Sequence, residues 1–358
     1  MKRVAFSALS LVLFLGLLEG GARVVGPGFM PEDTARDVGH GEALPNEPNL
    51  VGDEVTGWRA LRGVQQDFGV PAPTEVNSRG LRDSEIPVEK PPGERRVLLL
   101  GDSTVYGVMV SDAQSFGGAL EASLKASGES VEVLNGGCPG YSSWQALQAL
   151  KSRLLDYQPD LVVVATLWSD AQGASNPDSA RFGSATRPLL SHSAAWVLGR
   201  SALRRYKWER ETPENVEFRF APSGGNAPPP PPPGGGAPPE SMPIAPTHRV
   251  PIAEYRVNLR AIAATVEAAG GEVLFLALPS VRDVALNKVG DFRDAYREVM
   301  REVAEERSAP MVEAGPLFFG GEVNRLFFDD VHPTARGHRM IADLLAENLQ
   351  GWLESGSL

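Results

Sequence analysis

From Arg96 onward, short apolar runs alternate with stretches of helical spacing. "RVLLLGDS" ends a run of strand length, and "SFGGALEASLKASG" repeats Phe116, Leu120 and Leu124 on one helix face before stopping at Gly128. "VEVLN" (131–135) predicts a second strand. "SSWQALQALKSRLLDY" predicts a helix capped by Ser142 or Ser143. "PDLVVVATL" (159–167) has nothing polar after Asp160 except Thr166, as in strands buried on both faces of a parallel sheet. The alternation then stops for some 80 residues. It resumes with "IAEYRVNLRAIAATVEAAGG", whose apolar face includes Tyr255, Leu259, Ile262 and Val266. "EVLFLAL", "FRDAYREVMREVAEE", "PMVEA" and "TARGHRMIADLLAENLQGWL" add strand, helix, strand and helix. Five strands with helices between them predict a doubly wound α/β domain over 94–355, with an insertion after the third strand (171–250).

The insertion reads as a helical piece, "SHSAAWVLGRSALRRYKWER", followed by the low-complexity "GGNAPPPPPPGGGAPPE" (224–240), a disordered linker by composition. Residues 1–22 start with a basic "MKR" and an uncharged, mostly apolar stretch at 4–18. That length suits a signal peptide, or an anchor if uncleaved, and predicts export to the periplasm, the outer face of the inner membrane, or the medium. Residues 23–93, rich in Pro, Gly and charge, read as an extended arm with short strands such as "VTGWRALRG".

Composition narrows the chemistry. The 358 residues are 42% hydrophobic, enough for a sizeable core, and carry a net charge of −11. That charge disfavours nucleic acid and gives no electrostatic attraction to an anionic membrane. The one cysteine, Cys138, allows no intramolecular disulfide and no cysteine-based metal site. Between Gly137 and Pro139 it reads as a small hydrophobe.

Four polar features fall at the carboxyl ends of predicted strands or in the last βα loop, where doubly wound sheets place their sites. Ser103 follows the first strand, and as a residue after a strand it is a good helix cap. "VLNGGCPGYSS" is a glycine-rich loop whose backbone N–H groups can approach an anion. No lysine follows before Lys151, which argues against a nucleotide site. "ATLWSDAQ" puts Ser169 and Asp170 where the sheet surface is expected to open. In "LFFDDVHPTARGH", Asp329 precedes His332 by three positions, a spacing that lets a carboxylate fold back onto one imidazole nitrogen and leaves the other for a hydroxyl proton. His338 falls inside the last helix as a face residue, and His40, His192 and His248 lie in segments of low expected order.

Together these motifs resemble the SGNH/GDSL hydrolases over roughly 75–350. "GDSTVYG" resembles the first block, "NGGCPGYSS" the second and "DDVHP" the last. "VNSRGLRD" and "RVPIAEYRVNLRAI" are similar to exported or membrane-associated bacterial members. The resemblance implies a flavodoxin-like three-layer sandwich with a five-stranded parallel sheet. It implies Ser103 as nucleophile, His332 as base and Asp329 as its orienting acid, with the N–H groups of Ser103 and Gly140 holding the oxyanion. The family's third block resembles G-x-N-D, but this chain has "LWSD" (167–170), so Ser169 stands where an asparagine donor is expected. Ser169 is expected to complete the oxyanion hole in its place, through a water, or a donor from the next loop such as Gln172 can fill that gap. The expected activity is serine ester hydrolysis through an acyl-enzyme, on a small-molecule or glycan ester, with no metal or cofactor. Two alternatives remain open from the sequence: O-acyl transfer to an envelope glycan, and a catalytically weakened periplasmic binding or scaffold protein.

Overall fold

The computed structural model describes residues 14, 16–21, 50–53, 55–65, 74–174, 176–183, 247–286 and 294–355. Most of the 4–18 apolar stretch, "SHSAAWVLGRSALRRYKWER", the 224–240 tract, His40 and His192 lie outside them. The chain divides into two units. In the first, residues 1–61 with 184–219, the described part is helical at 14 and 16–21 and pairs β1 (Leu50–Asp53) antiparallel with β2 (Gly57–Ala60). Among the described residues no helix is long and apolar enough to cross a membrane.

The second unit, residues 62–183 with 220–358, holds the sheet and every predicted site residue. It opens with β3 (Gly63–Gln65) paired to β4 (Thr74–Val76). The sheet strands are β5 (Arg95–Gly101), β6 (Val131–Asn135), β7 (Leu161–Ala165), β10 (Glu272–Ala277) and β11 (Met311–Glu313). All pairings are parallel and the spatial order is β11-β10-β7-β5-β6. This is the flavodoxin-like order, with the switch point between β5 and β7. Burial explains the strand sequences: Val97 to Leu100 and Leu161 to Val164 are almost wholly removed from water on both faces.

Right-handed crossovers put α2 (Phe116–Ala126), between β5 and β6, on one face with α9 (Ala335–Ser355) packed beside it. On the other face lie α3 (Ser143–Ala149), α5 (Ile252–Ala268) and α7 (Asp294–Glu306). The apolar stripes read from the sequence are the buried ones: Phe116, Leu120 and Leu124, and Tyr255, Leu259, Ile262 and Val266. The one long helix expected over 142–157 is shorter than its pattern. Ser142 caps α3 with a reciprocal Gln145 contact, the chain passes into a π-turn at Leu150–Leu154, and a 3₁₀ turn ends at Gln158 in the left-handed region (φ 53). Apolar spacing sets the buried face but does not distinguish 3.6 residues per turn from a local π-bulge.

Part of the expected arm belongs to this unit. The Arg82 guanidinium is buried, donating to Asp112 Oδ1 at 2.6 Å and to the carbonyls of Tyr106, Gly107 and Val110. It ties the chain before the sheet to the turn that follows the Ser103 helix. The insertion also has an ordered base. β8 (Gly173–Ala174) pairs antiparallel with β9 (Thr247–His248), so the outgoing and returning chains lie side by side at the carboxyl edge of the sheet.

Candidate active site

β5 ends at Gly101, and α1 (Ser103–Tyr106) starts two residues later. The cap of α1 is Asp102, not Ser103: Asp102 Oδ1 accepts the Thr104 N–H at 3.0 Å. Ser103 is the first helical residue, and its hydroxyl points elsewhere. His332 Nε2 lies 2.8 Å from Ser103 Oγ. His332 Nδ1 lies 2.6 Å from Asp329 Oδ2. Asp329 Oδ1 accepts the backbone N–H groups of Val331 and His332 at 3.0 and 2.9 Å. The carboxylate thus organises its own turn and the ring together. Thr104 Oγ1 donates to the Val331 carbonyl at 3.3 Å, tying this turn to α1. Burial raises the Asp329 pKa, but the His332 side-chain hydrogen bond and charge and the two backbone donors outweigh it, so the carboxyl lies below its ordinary value.

The glycine loop is brought to the same edge. The buried Asn135 side chain donates to the Val105 and Tyr106 carbonyls at 3.1 and 3.2 Å and accepts the Gly137 N–H at 3.1 Å. Cys138 N–H donates to the Gly101 carbonyl at 3.2 Å. A side chain at Gly137 would meet Tyr106 N at 2.4 Å, so only glycine lets the loop lie this close to α1. Gly140 adopts φ 75, in the left-handed region. Neither the Ser103 N–H nor the Gly140 N–H has a hydrogen-bond partner among the described residues. Unpaired backbone N–H groups of this kind are the donors that can meet an anion. Cys138 is 2% exposed.

Ser169 and Asp170 do not mark an opening of the sheet: they are 3% and 0% exposed. The Ser169 backbone N–H lies on the side of the Asp102 carboxylate and favours its charged form, and the Ser169 hydroxyl makes no hydrogen bond among the described residues. The turn after β7 folds inward because the base of the insertion covers it: Val250 N–H donates to the Asp170 carbonyl at 3.1 Å. Gln172 is exposed, with its amide oxygen 3.5 Å from an Arg249 nitrogen. Two residues that the sequence reading did not single out also shape the site: Thr104, through the bond above, and Arg249, which donates to the Gly140 carbonyl at 2.7 Å. His248 Nδ1 lies 3.0 Å from the Ala171 carbonyl. His338 is buried on α9, where its Nδ1 accepts the Phe116 N–H at 3.2 Å; burial pushes its pKa down to about 3, so it serves as a neutral acceptor.

Asp102 and Asp170 are both wholly buried behind this edge, and Oδ2 of each lacks a partner among the described residues. Burial raises both pKa values, that of Asp170 to about 7 despite the Ser143 hydrogen bonds and the Arg249 charge. The folded state therefore keeps a proton on Asp170 that an unfolded chain releases near pH 4. Stability from this proton is full below pH 4 and is lost as pH rises towards 7. Between pH 5 and 8, the melting temperature of wild type should fall by at least about 3 °C more than that of Asp170→Asn. Parallel melting curves across that range would show that Asp170 is ionised throughout.

The GDSL-like Lipase/Acylhydrolase family matches residues 227–340, a stretch that contains Asp329 and His332 but not Ser103. The resemblance to SGNH/GDSL hydrolases drawn from the motifs is borne out by this match. A comparison with curated proteins finds no match. Among solved structures, a lipase/acylhydrolase from Enterococcus faecalis is 15% identical, with 72% of this chain and 96% of that chain covered and a TM-score of 0.45. The acetylxylan esterase Axe2 from Geobacillus stearothermophilus is 14% identical over 72% and 94%, with a TM-score of 0.44. The esterase EstA from Pseudoalteromonas sp. is 13% identical over 73% and 100%, with a TM-score of 0.43.

Proposed function

We propose that this protein is a serine ester hydrolase of the GDSL type that works through an acyl-enzyme on Ser103. The observation that carries the reading is the continuous chain Asp329 Oδ2, His332 Nδ1, His332 Nε2, Ser103 Oγ, with contacts of 2.6 and 2.8 Å. As Ser103 Oγ bonds to the acyl carbon, its proton passes to His332 Nε2. The carbonyl oxygen takes negative charge and is met by the N–H groups of Ser103 and Gly140. The C–O bond to the leaving alcohol then breaks, and that oxygen takes the proton from His332. Water repeats the sequence: His332 removes its proton, the acid leaves, and Ser103 recovers its hydrogen. Asp329 holds the ring with Nδ1–H towards itself and stabilises the imidazolium that forms in each half. No step calls for a metal or an organic cofactor.

The basic start and apolar 4–18 stretch support extending the reading to an exported enzyme acting on a small-molecule or glycan ester. The test is turnover of a short-chain aryl ester, together with labelling by a fluorophosphonate. Wild type should hydrolyse the ester and carry the label on Ser103. A wild-type rate no higher than that of Ser103→Ala, or a label elsewhere, would overturn the reading.

Ser169 supports a slower enzyme than an asparagine would, because a missing oxyanion donor typically costs about 10²–10³ in turnover. Ser169→Asn should therefore raise both kcat and the labelling rate, by about tenfold or more. No gain in a folded Ser169→Asn would mean that position 169 does not face the oxyanion.

A further inference from the structure

Arg249 is the point at which the insertion rejoins the sheet. Its backbone closes the neck: its N–H donates to the Gln172 carbonyl and its carbonyl accepts the Asp178 N–H, both at 2.7 Å. Its side chain, 11% exposed, turns inward. One terminal nitrogen donates to the Gly140 carbonyl at 2.7 Å. The other donates to Gln145 Oε1 at 2.7 Å and to Asp178 Oδ2 at 2.8 Å. Asp178 is 1% exposed and starts α4 (Asp178–Phe182), the helix just beyond the neck. A single planar guanidinium therefore joins the glycine loop, the first turn of α3 and the base of the insertion, a three-way geometry that an ammonium cannot reproduce.

Gly140 needs such a restraint. Its φ of 75 is accessible to glycine at no cost, and so are several other conformations. The loop is held on the strand side by the Cys138 N–H bond to the Gly101 carbonyl, and closed on itself by Tyr141 N–H to the Cys138 carbonyl at 3.0 Å. At Gly140 the N–H has no partner among the described residues, and the carbonyl is held by Arg249. We propose that Arg249 is a positioning residue for the reaction. From the neck of the insertion it fixes the Gly140 carbonyl, and so limits the conformational freedom of the residue that carries the unpaired N–H. The inference rests on the ester-hydrolase reading above and adds that the insertion reaches the chemistry through this side chain.

The experiment measures kcat and KM on a short-chain aryl ester for wild type, Ser103→Ala, Arg249→Lys and the double variant Arg249→Met/Asp178→Asn. Arg249→Lys keeps a cation beside the buried Asp178, and the double variant removes both members of the pair, so neither leaves a lone buried charge. Both should lower kcat by about 10²-fold, as misplacement by about an ångström can do, with KM within about threefold of wild type. The pH profile of the remaining activity should keep its wild-type shape, because His332 is untouched. Folding, read by circular dichroism and melting, should be retained in at least one of the two. A kcat within twofold of wild type in either folded variant would overturn the inference, as would a loss carried by KM alone. If instead Ser103→Ala matches wild type, the hydrolase reading itself has failed and the inference falls with it.

Discussion

Ser103→Ala is expected to abolish turnover of a short-chain aryl ester, lowering kcat by at least about 10⁴-fold, while leaving the fold intact. The change removes one oxygen. That oxygen makes a 2.8 Å contact with His332 Nε2 and caps nothing, because Asp102 fills the cap position of α1. The stability at stake is one partly exposed hydrogen bond, on the order of 1 kcal/mol, so the melting temperature should move by no more than a few degrees. The chemistry at stake is larger, since without a nucleophile only the two N–H donors and substrate binding remain. The residual rate should still exceed the rate in buffer, because those donors belong to the backbone and survive the mutation. Measuring kcat and melting temperature on the same preparations separates the two effects. A parallel loss of fold and activity would mean that Ser103 is structural.

The division of labour around Ser103 explains which parts of the molecule were legible in the sequence. The three inner strands were legible because burial on both faces demands unbroken apolar runs, and β5, β7 and β10 are such runs. Helix faces were legible through their spacing, as with Tyr255, Leu259, Ile262 and Val266 on α5. Ser103, Gly140, Asp329 and His332 could be gathered because a doubly wound sheet collects its strand ends at one edge. What local pattern could not supply was the fate of individual polar atoms. Asp102 and Ser103 are both good caps, and only the 229-residue separation closed by the Ser103–His332 contact decides which one takes the role. The inward turn of Ser169 and Asp170 depends on Val250, at the far end of the insertion. Arg82 and Arg249 lie in "VNSRGLRD" and "RVPIAEYRVNLRAI", but those segments do not say what either side chain holds. Their carbonyl partners carry no residue-type signal, so the sequence holds no mark of either role.

Asp329→Asn is expected to cost nearly as much as removing the histidine, about 10³–10⁴-fold in kcat near neutral pH. Asp329 is half exposed, and a surface ion pair would normally contribute little. Its effect comes from direction. Oδ1 is committed to two backbone donors, Val331 N–H and His332 N–H, which leaves Oδ2 alone to face Nδ1 at 2.6 Å. An asparagine must keep its oxygen on those two N–H groups, so its NH₂ is what faces the ring. Nδ1 then becomes an acceptor and the proton moves to Nε2, the nitrogen that must take the Ser103 proton. The alternative flip puts NH₂ against two N–H donors and unwinds the turn that carries His332. Either outcome disables the base, so asparagine should be no better than alanine at this position despite being nearly isosteric. The carboxylate is also held below its ordinary pKa, chiefly because the His332 contacts and backbone donors outweigh burial, so it is the ionised form that wild type uses. The comparison needs kcat for wild type, Asp329→Asn and Asp329→Ala at one pH, with fluorophosphonate labelling of Ser103 as a second measure. If Asp329→Asn keeps more than a tenth of wild-type kcat, the charge on Asp329 is not needed and His332 is oriented by the turn alone.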